Sequence, residues 1–276
     1  MGFFKEPNLS PIFNITVTNM PNLKITTIQA DLKWEDIDGN LAHFETLFKQ
    51  IKGATDIIIL PEMFTTGFSM NARVFAEPSD GKTMYWLHEM AENYNAVVTG
   101  SFIFDESGSY RNRLIWMRPD GTYDYYDKHQ LFKMSGEHES YDAGNDKVII
   151  EHKGWRICPM ICYDLRFPVW ARNAEDYDLL FYVANWPVTR SKHWRVLLEA
   201  RAIENQSYVI GVNRCGKADG FEYSGNTSAF DPFGSELYHL VNQEAVQTIE
   251  ISKERINEVR TQIPYLGDRD TFQVTR

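Results

Sequence analysis

The residue with most chemical promise is Cys162, in Cys158-Pro-Met-Ile-Cys162-Tyr-Asp-Leu-Arg-Phe-Pro168. An apolar run ends at this cysteine, and Pro168 can open a helix shortly after it. A thiol at a strand-to-helix turn is held exposed, near free backbone N–H groups and a favourable helix dipole. Those features lower its pKa and make it a better nucleophile. The backbone N–H of Tyr163 is then placed to donate to a developing oxyanion. The plainer reading is a buried structural cysteine, and this segment alone leaves both open. Cys158 shares a strand face with Cys162 by alternation. A resolving thiol or a metal ligand is conceivable there. CxxxC on a strand matches neither the redox CxxC spacing nor a zinc knuckle, so a small core residue is preferred. Cys215 has no partner nearby and reads as structural.

Two further segments offer charged groups at strand ends. Glu62 lies in Leu60-Pro-Glu-Met-Phe-Thr-Thr-Gly-Phe68, directly after a buried apolar run. A carboxylate at the tip of a central parallel strand lies where α/β proteins place ligands. Partial burial raises its pKa toward the range of a general base. The alternative is a solvated loop charge or a helix cap. Gly67 supplies a permissive backbone for a tight loop there. Lys128, in Tyr125-Tyr-Asp-Lys-His-Gln-Leu-Phe132, follows a hairpin strand and has aromatic neighbours. It is a candidate oxyanion stabiliser, or an exposed surface lysine. His129 adjoins it and points elsewhere. Glu137 and Glu139 make a dense polar loop and either assist or are solvated.

Strands and helices must alternate to position these groups. Leu23 to Ala30 reads as the first strand. Asp38 is a candidate cap for a helix with Leu41, Phe44, Leu47, Phe48 and Ile51 at a 3.6 period. Asp56 to Leu60 and Asp178 to Ala184 are continuous apolar runs, which suit strands buried on both faces. Met84 to Tyr94 and Trp194 to Asn205 read as helices. Ala96 to Phe104, Trp155 to Ile161 and Tyr208 to Asn213 read as strands. Arg113 to Met117 and Thr122 to Tyr126 flank Pro119-Asp-Gly121, a hairpin signal. Ser228 to Phe230 leads into the turn Asp231-Pro-Phe-Gly234. Ser252 is placed to cap a last helix. The runs after Asp56 and Asp178 echo one another, each ending in a polar tip. That echo suggests two similar halves whose strand ends face one site.

Composition bounds the function. The chain has 276 residues, 43% hydrophobic and 24% charged, the normal range of a globular protein. Three cysteines cannot build a disulfide framework, so a reducing compartment, the cytoplasm, is expected. No apolar run approaches the roughly 20 residues that span a bilayer. Against 28 basic residues stand 38 acidic ones, for a net charge of −10. That balance argues against nucleic acid and anionic membrane as partners. It also requires a locally positive site if the substrate is an anion. Residues 1–19 carry two prolines and no helical period, and lack the n-region and h-region of a signal peptide. They read as an extension ahead of one domain over residues 20–276, with a docked arm as the alternative.

Glu62, Lys128 and Cys162 thus fall on three separate strand ends. Their segments LPEMFTTGF, YDKHQLF and ICYDLRFP resemble the three catalytic segments of the nitrilase superfamily of carbon–nitrogen hydrolases. Order and separation fit too, and the resemblance runs from about Leu23 to about Arg269. VANWPVTRSKHW, RAIENQSYV and DPFGSEL resemble the omega-amidase branch, its bacterial members especially. The resemblance implies an α/β fold, a four-layer α-β-β-α sandwich, in a homodimer or higher homo-oligomer. It implies Cys162 as nucleophile, Glu62 as general base, Lys128 as oxyanion stabiliser and Glu137 as an assisting glutamate. It implies hydrolysis of the terminal amide of 2-oxo acids such as 2-oxoglutaramate and 2-oxosuccinamate. No metal or organic cofactor is called for. The runner-up is another amidase of the superfamily, for N-carbamoyl amino acids or aliphatic amides. A thiol redox or metal-binding protein and a non-catalytic scaffold are readings from other classes. An oxo-acid carboxylate needs a clamp, for which Arg113, Arg166 and Arg190 are candidates. Arg166 can equally be structural, paired with Asp164 or Glu199. Phe68 and Trp186 are candidate pocket walls or ordinary core.

Overall fold

The structure is a computed structural model in which residues 21–274 are described. The extension expected over residues 1–19 lies outside them. The chain opens with β1 (Leu23–Gln29), α1 (Ile37–Phe48), β2 (Ile57–Ile59), α2 (Ala72–Phe75), α3 (Lys82–Tyr94), β3 (Val97–Glu106), β4 (Ser109–Met117) and β5 (Tyr123–Asp127). A one-turn helix α4 (Glu137–Ser140) leads to β6 (Ile150–His152), β7 (Trp155–Ile161), α5 (Pro168–Ala171), β8 (Leu179–Ala184), α6 (Ser191–Asn205) and β9 (Tyr208–Asn213). The last elements are β10 (Cys215–Ala218), β11 (Phe221–Phe230), β12 (Glu236–Val241), β13 (Ala245–Ile251) and α7 (Lys253–Gln262).

These strands form two sheets, ordered β13-β1-β2-β3-β4-β5 and β10-β11-β9-β8-β7-β6, with β12 on β11. Each has a parallel centre, β1-β2-β3 in one and β7-β8-β9 in the other. The continuous apolar runs form two of those central strands, β2 and β8, because both of their faces are covered. Alternation divides β2 between two cores. Ile57 and Ile59 join Ile157, Leu180 and Phe181 of the second sheet. Ile58 faces the other way, among Phe44 and Phe48 of α1 and Leu87 and Met90 of α3. Outside the second sheet lies α6, with Trp194 and Leu198 against β9. The layers are therefore helix, sheet, sheet, helix: the α-β-β-α sandwich that the resemblance implies. No helix among the described residues is long and apolar enough to cross a membrane.

Local details correct the sequence reading. The cap of α1 is Asp36, whose side chain accepts from the Gly39 N–H at 2.9 Å. Asp38 sits in the first turn and pairs with Lys82 instead. The helix ends before Ile51, which still packs on the outer core. Ser252 does cap α7, accepting from the Arg255 N–H. Pro168 opens only the four residues of α5, and a 3-10 turn over Cys162–Arg166 intervenes after β7.

The contact between α6 and the second sheet depends on a missing side chain. A Cβ at Gly211 in β9 would lie 2.4 Å from Leu198 Cδ1 and 2.6 Å from the Trp194 ring. Gly211→Val is expected to push α6 outward and destabilise the fold by about 1–3 kcal/mol. A thermal melt checks this; an unchanged Tm would show that α6 adjusts freely.

Candidate active site

The site is built where strand ends of both sheets meet. Glu62 lies three residues beyond β2, and the chain behind it is fixed by β3. Met63 donates to Ser101 Oγ at 2.9 Å and Phe64 to the Ser101 carbonyl. Lys128 is the first residue after β5, and its N–H donates to the Asn112 carbonyl of β4 at 3.0 Å. Cys162 is the first residue after β7, with a left-handed backbone at φ 44°. Non-glycine residues adopt that conformation at a cost of about 1–2 kcal/mol, and only where surroundings enforce it. Asn185 follows β8 directly. The echo between the two apolar runs therefore corresponds to contact. The Asn185 N–H donates to Glu62 Oε2 at 2.8 Å, and Asn185 Nδ2 donates to the Glu62 carbonyl at 2.6 Å.

Lys128 Nζ donates to Glu62 Oε1 and to Glu137 Oε1, each at 2.8 Å. Asn112 Nδ2 bridges the same two oxygens, at 2.9 and 3.4 Å. Glu137 opens α4, and its other oxygen accepts the Phe132 N–H. Lys128, Glu62 and Glu137 are all buried, at 1%, 0% and 0% exposure. Three ionisable groups without water are tolerable only because they satisfy one another. Burial alone would lower the lysine pKa, but the Glu137 and Glu62 charges overcome it and hold Lys128 above its ordinary value. Burial and the Glu62 charge raise Glu137, against the pull of Lys128.

Cys162 contradicts the expectation of an exposed, acidified thiol. It is 9% exposed, and burial first, then the adjacent Glu62 charge, push its pKa well above the ordinary value. Lys128 acts in the opposite sense without prevailing. That environment favours the thiol over the thiolate, so any reaction through this sulfur must remove its proton. A 3-10 turn over Cys162–Arg166 lies between the cysteine and the helix that opens at Pro168. Tyr163 stands in its first turn, where backbone N–H groups have no partner within the turn. Cys158 is buried in β7, its thiol raised to about 12 by burial. All three cysteines are free thiols.

Asp164 ties the Cys162 segment to the Lys128 segment. Its carboxylate accepts the Ile161 N–H at 3.0 Å, the Gln130 N–H at 2.8 Å and the Tyr126 hydroxyl at 2.8 Å. It lies between donors on both sides of Lys128 and one just before Cys162. Burial pushes its pKa up to about 6 although these bonds pull it down. His129 is turned aside, stacked on Trp170 at 3.5 Å between centroids.

One cavity brings together Lys128, Cys162, Tyr163, Phe68, Trp186, Arg166 and Arg190. Arg113 is placed elsewhere. Its guanidinium is 5% exposed, pairs with Asp127 at 2.6 Å and Glu106 at 2.9 Å, and lies over Phe104 and Tyr125. Its acids sit on neighbouring strands, so it closes a cross-strand cluster and cannot serve as a clamp. Arg166 pairs with neither Asp164 nor Glu199. It lies over Trp186 at 4.7 Å and meets His193 Nδ1 at 3.3 Å. Neither Arg166 nor Arg190 forms an ion pair with a described residue. Burial and then the Arg190 charge lower the Arg166 pKa. Reading the sequence missed Asn112, Phe132 and Tyr223, and took Asn185 only as a polar strand tip. Strand alternation across β4 was the signal available for Asn112.

Residues 24–261 match the carbon-nitrogen hydrolase family. The chain belongs to that family. It is 46% identical over 260 residues to the omega-amidase YafV of Escherichia coli (strain K12), covering 92% of this chain and 100% of that one. It is 30% identical over 249 residues to the 2-oxoglutaramate amidase of Bacillus subtilis (strain 168), covering 88% and 96%. Among solved structures, XC1258 from Xanthomonas campestris superposes with a TM-score of 0.90 at 40% identity, covering 93% of this chain and 100% of that chain. That structure carries an arsenic adduct in its active site. The nitrilase-superfamily assignment and the sandwich fold follow, and the enzyme is an amidase of non-peptide carbon–nitrogen bonds.

The raised thiol has a measurable consequence. Alkylation of Cys162 by neutral iodoacetamide is expected to show no thiolate inflection between about pH 7 and 9, where an ordinary cysteine titrates. An inflection near 7 would show the acidified thiol that the buried geometry argues against.

Proposed function

We propose that this amidase is an omega-amidase for small 2-oxo-acid amides, 2-oxoglutaramate and 2-oxosuccinamate. The observation that carries this reading is the pair of unpaired arginines. Arg166 and Arg190 share one cavity with Cys162, and burial first, then the Arg190 charge, lower the Arg166 pKa. Two cations in one cavity that form no ion pair with a described residue suit an anionic ligand. A substrate with its carboxylate remote from the scissile amide supplies one. The names of the relatives, omega-amidase and 2-oxoglutaramate amidase, agree with it.

The chemistry follows from the groups at hand. Glu62 takes the thiol proton as Cys162 Sγ bonds to the amide carbon. The carbonyl oxygen becomes an oxyanion, held by the Lys128 ammonium and the Tyr163 N–H. Each such donor lowers the barrier by roughly 3–4 kcal/mol. Glu62 returns the proton to nitrogen, the C–N bond breaks, and ammonia leaves a thioester. Water, deprotonated by Glu62, then attacks that carbonyl. The C–S bond breaks, the sulfur regains a proton, and the dicarboxylate departs. Glu137 assists by keeping Lys128 charged and in place. Phe68, whose ring lies 4.9 Å from Lys128 Nζ, and Trp186 wall the pocket. No step calls for a metal or cofactor.

We further propose that two copies pair and that the enzyme works in the reducing cytoplasm. Val169 on α5 and Val196 and Ile203 on α6 are exposed at 56%, 53% and 42%. Seven residues apart, the last two share one helix face, and such an apolar stripe suits a self-complementary contact. Sedimentation is expected to give a dimer that Val196→Glu with Ile203→Glu converts to monomer; a monomeric parent enzyme overturns the pairing.

Cys162→Ala is expected to abolish ammonia release from 2-oxoglutaramate while the thermal melt stays cooperative. Arg166→Met and Arg190→Met are each expected to raise KM about tenfold or more, as loss of a charged hydrogen bond predicts. Ammonia release measured across oxo-acid, N-carbamoyl and simple aliphatic amides decides the substrate class. Preference for aliphatic or carbamoyl substrates would overturn the oxo-acid reading.

A further inference from the structure

We infer that Tyr223 sets substrate choice, its phenol donating a hydrogen bond to the 2-oxo oxygen while the buried Arg214 supports the ring. The inference rests on the oxo-acid reading of the pocket. It begins with the hairpin of β10 and β11, which turns at Asp219-Gly220 with φ 46° and 74°. Strand alternation puts residues 219, 221 and 223 on one face. All three line the cavity that holds Cys162. Asp219 and Phe221 stand exposed at its rim, whereas Tyr223 is only 7% exposed.

The ring is firmly based. Arg214 lies against it, Cζ 4.6 Å from the ring centroid. Arg214 is fully buried and anchored by its own bonds. Nη2 donates to Asp31 Oδ1 at 2.9 Å and to the Leu32 carbonyl at 3.0 Å, and Nε donates to the Cys215 carbonyl at 3.0 Å. Its place is therefore beneath the tyrosine, and it does not enter the cavity lining.

The phenol has no comparable anchor. It makes no hydrogen bond to another described residue. The hydroxyl is not sealed in the interior; it belongs to a residue that lines the cavity, where it is open to a partner. A ligand in the cavity can supply the partner. Burial raises the phenol to about 12, although Arg214 pulls it down, so it carries its proton at neutral pH and can donate.

The identity of the acceptor follows from complementarity. Arg166 and Arg190 meet the charge of a carboxylate. A neutral donor suits a neutral acceptor, the 2-oxo oxygen beside that carboxylate. The corresponding 2-amino acid amide, glutamine, has an ammonium at the same carbon, which offers donors and no acceptor. The phenol oxygen can also accept from that ammonium, so the contrast Tyr223 reads is between the 2-oxo amide and an amide with no polar group at that carbon.

The test compares Tyr223→Phe with the wild type on 2-oxoglutaramate and on glutaramate, which has the same length and no oxo group. Loss of one buried hydrogen bond predicts that kcat/KM for 2-oxoglutaramate falls about 10–100-fold, mostly through KM. Glutaramate turnover stays within about twofold, since that substrate has no acceptor at this place. Equal loss on both substrates, or loss on neither, overturns the inference. Equal loss would place the phenol on the oxyanion or in the fold. If the variant fails to fold, inhibition of the wild type by 2-oxoglutarate and glutarate reads the same contact. Tighter inhibition by the oxo acid supports the inference and equal inhibition overturns it. A wild type with no preference for the oxo amide overturns the oxo-acid reading, and this inference with it. A wild-type preference retained in Tyr223→Phe overturns this inference alone.

Discussion

Everything in the candidate site depends on one buried ammonium held between two buried carboxylates. Isolated in a protein interior, each of these charges carries a desolvation cost of several kcal/mol. Lys128 meets Glu62 and Glu137 at 2.8 Å each, and Asn112 donates to the same two oxygens. Remove the lysine and two carboxylates face one another without a cation. Remove either glutamate and the ammonium loses half of its compensation. The set is therefore cooperative, and each member fixes the position of the others. Glu62 also holds Asn185 through two bonds. One glutamate, through its carboxylate and its backbone carbonyl, thereby joins the end of β2 in one sheet to the end of β8 in the other.

That constraint explains why the sandwich has the form it does. Cys162 lies beside Glu62, yet the two belong to different sheets. The inner core between the sheets, with Ile57, Ile59, Ile157 and Phe181, sets their separation. Asp164 then fixes the remaining freedom. It reaches Gln130 and Tyr126 on either side of Lys128, and Ile161 next to Cys162. Trp170 donates to the Tyr126 hydroxyl at 3.0 Å and extends the network into α5. Amide and hydroxyl donors, with no cation in contact, hold this carboxylate. That environment is consistent with the pKa of about 6. The left-handed backbone at Cys162 is sustained by this enclosure.

Much of this was legible in the sequence because its strongest signals were physical necessities. A strand buried on both faces must read as a continuous apolar run, and DIIIL and DLLFYVA do. A polar tip directly after such a run must find a site, and Glu62 and Asn185 do. What escaped detection depended on distant partners. The β4 strand begins at Ser109, where a reading by apolar alternation began it at Arg113. Its first half is polar because Asn112 serves the buried carboxylates and Arg113 serves Glu106 and Asp127. The rise in the Cys162 pKa was likewise invisible locally. Turn geometry argues for a lowered pKa, and only the full burial and the approach of Glu62 from another sheet reverse it. The cap of α1 was misplaced by two residues because Asp36 and Asp38 are equally plausible by type.

Charge completes the account. A net −10 would repel an anion at long range, but salt screens that field within about 8–10 Å. Close to the sulfur, local groups decide. Arg166 and Arg190 line the cavity without an ion pair to a described residue, so they are the charges there that favour an anion. The same arrangement bears on turnover. On the proposed reaction the scissile amide is neutral when it enters, and the new carboxylate is negative when it leaves. That carboxylate forms beside Glu62, which resumes its own charge once the thiol is restored. Lys128 is already compensated by Glu62 and Glu137, so it has little left with which to retain a product anion. An ammonium free of those partners would hold the transition-state oxyanion and the product carboxylate alike. Sharing it between two glutamates confines its strongest demand to the moment when Glu62 is protonated. On the proposed reaction that is the moment when the oxyanion exists, and the cost of burying three charges then becomes selective stabilisation of the transition state.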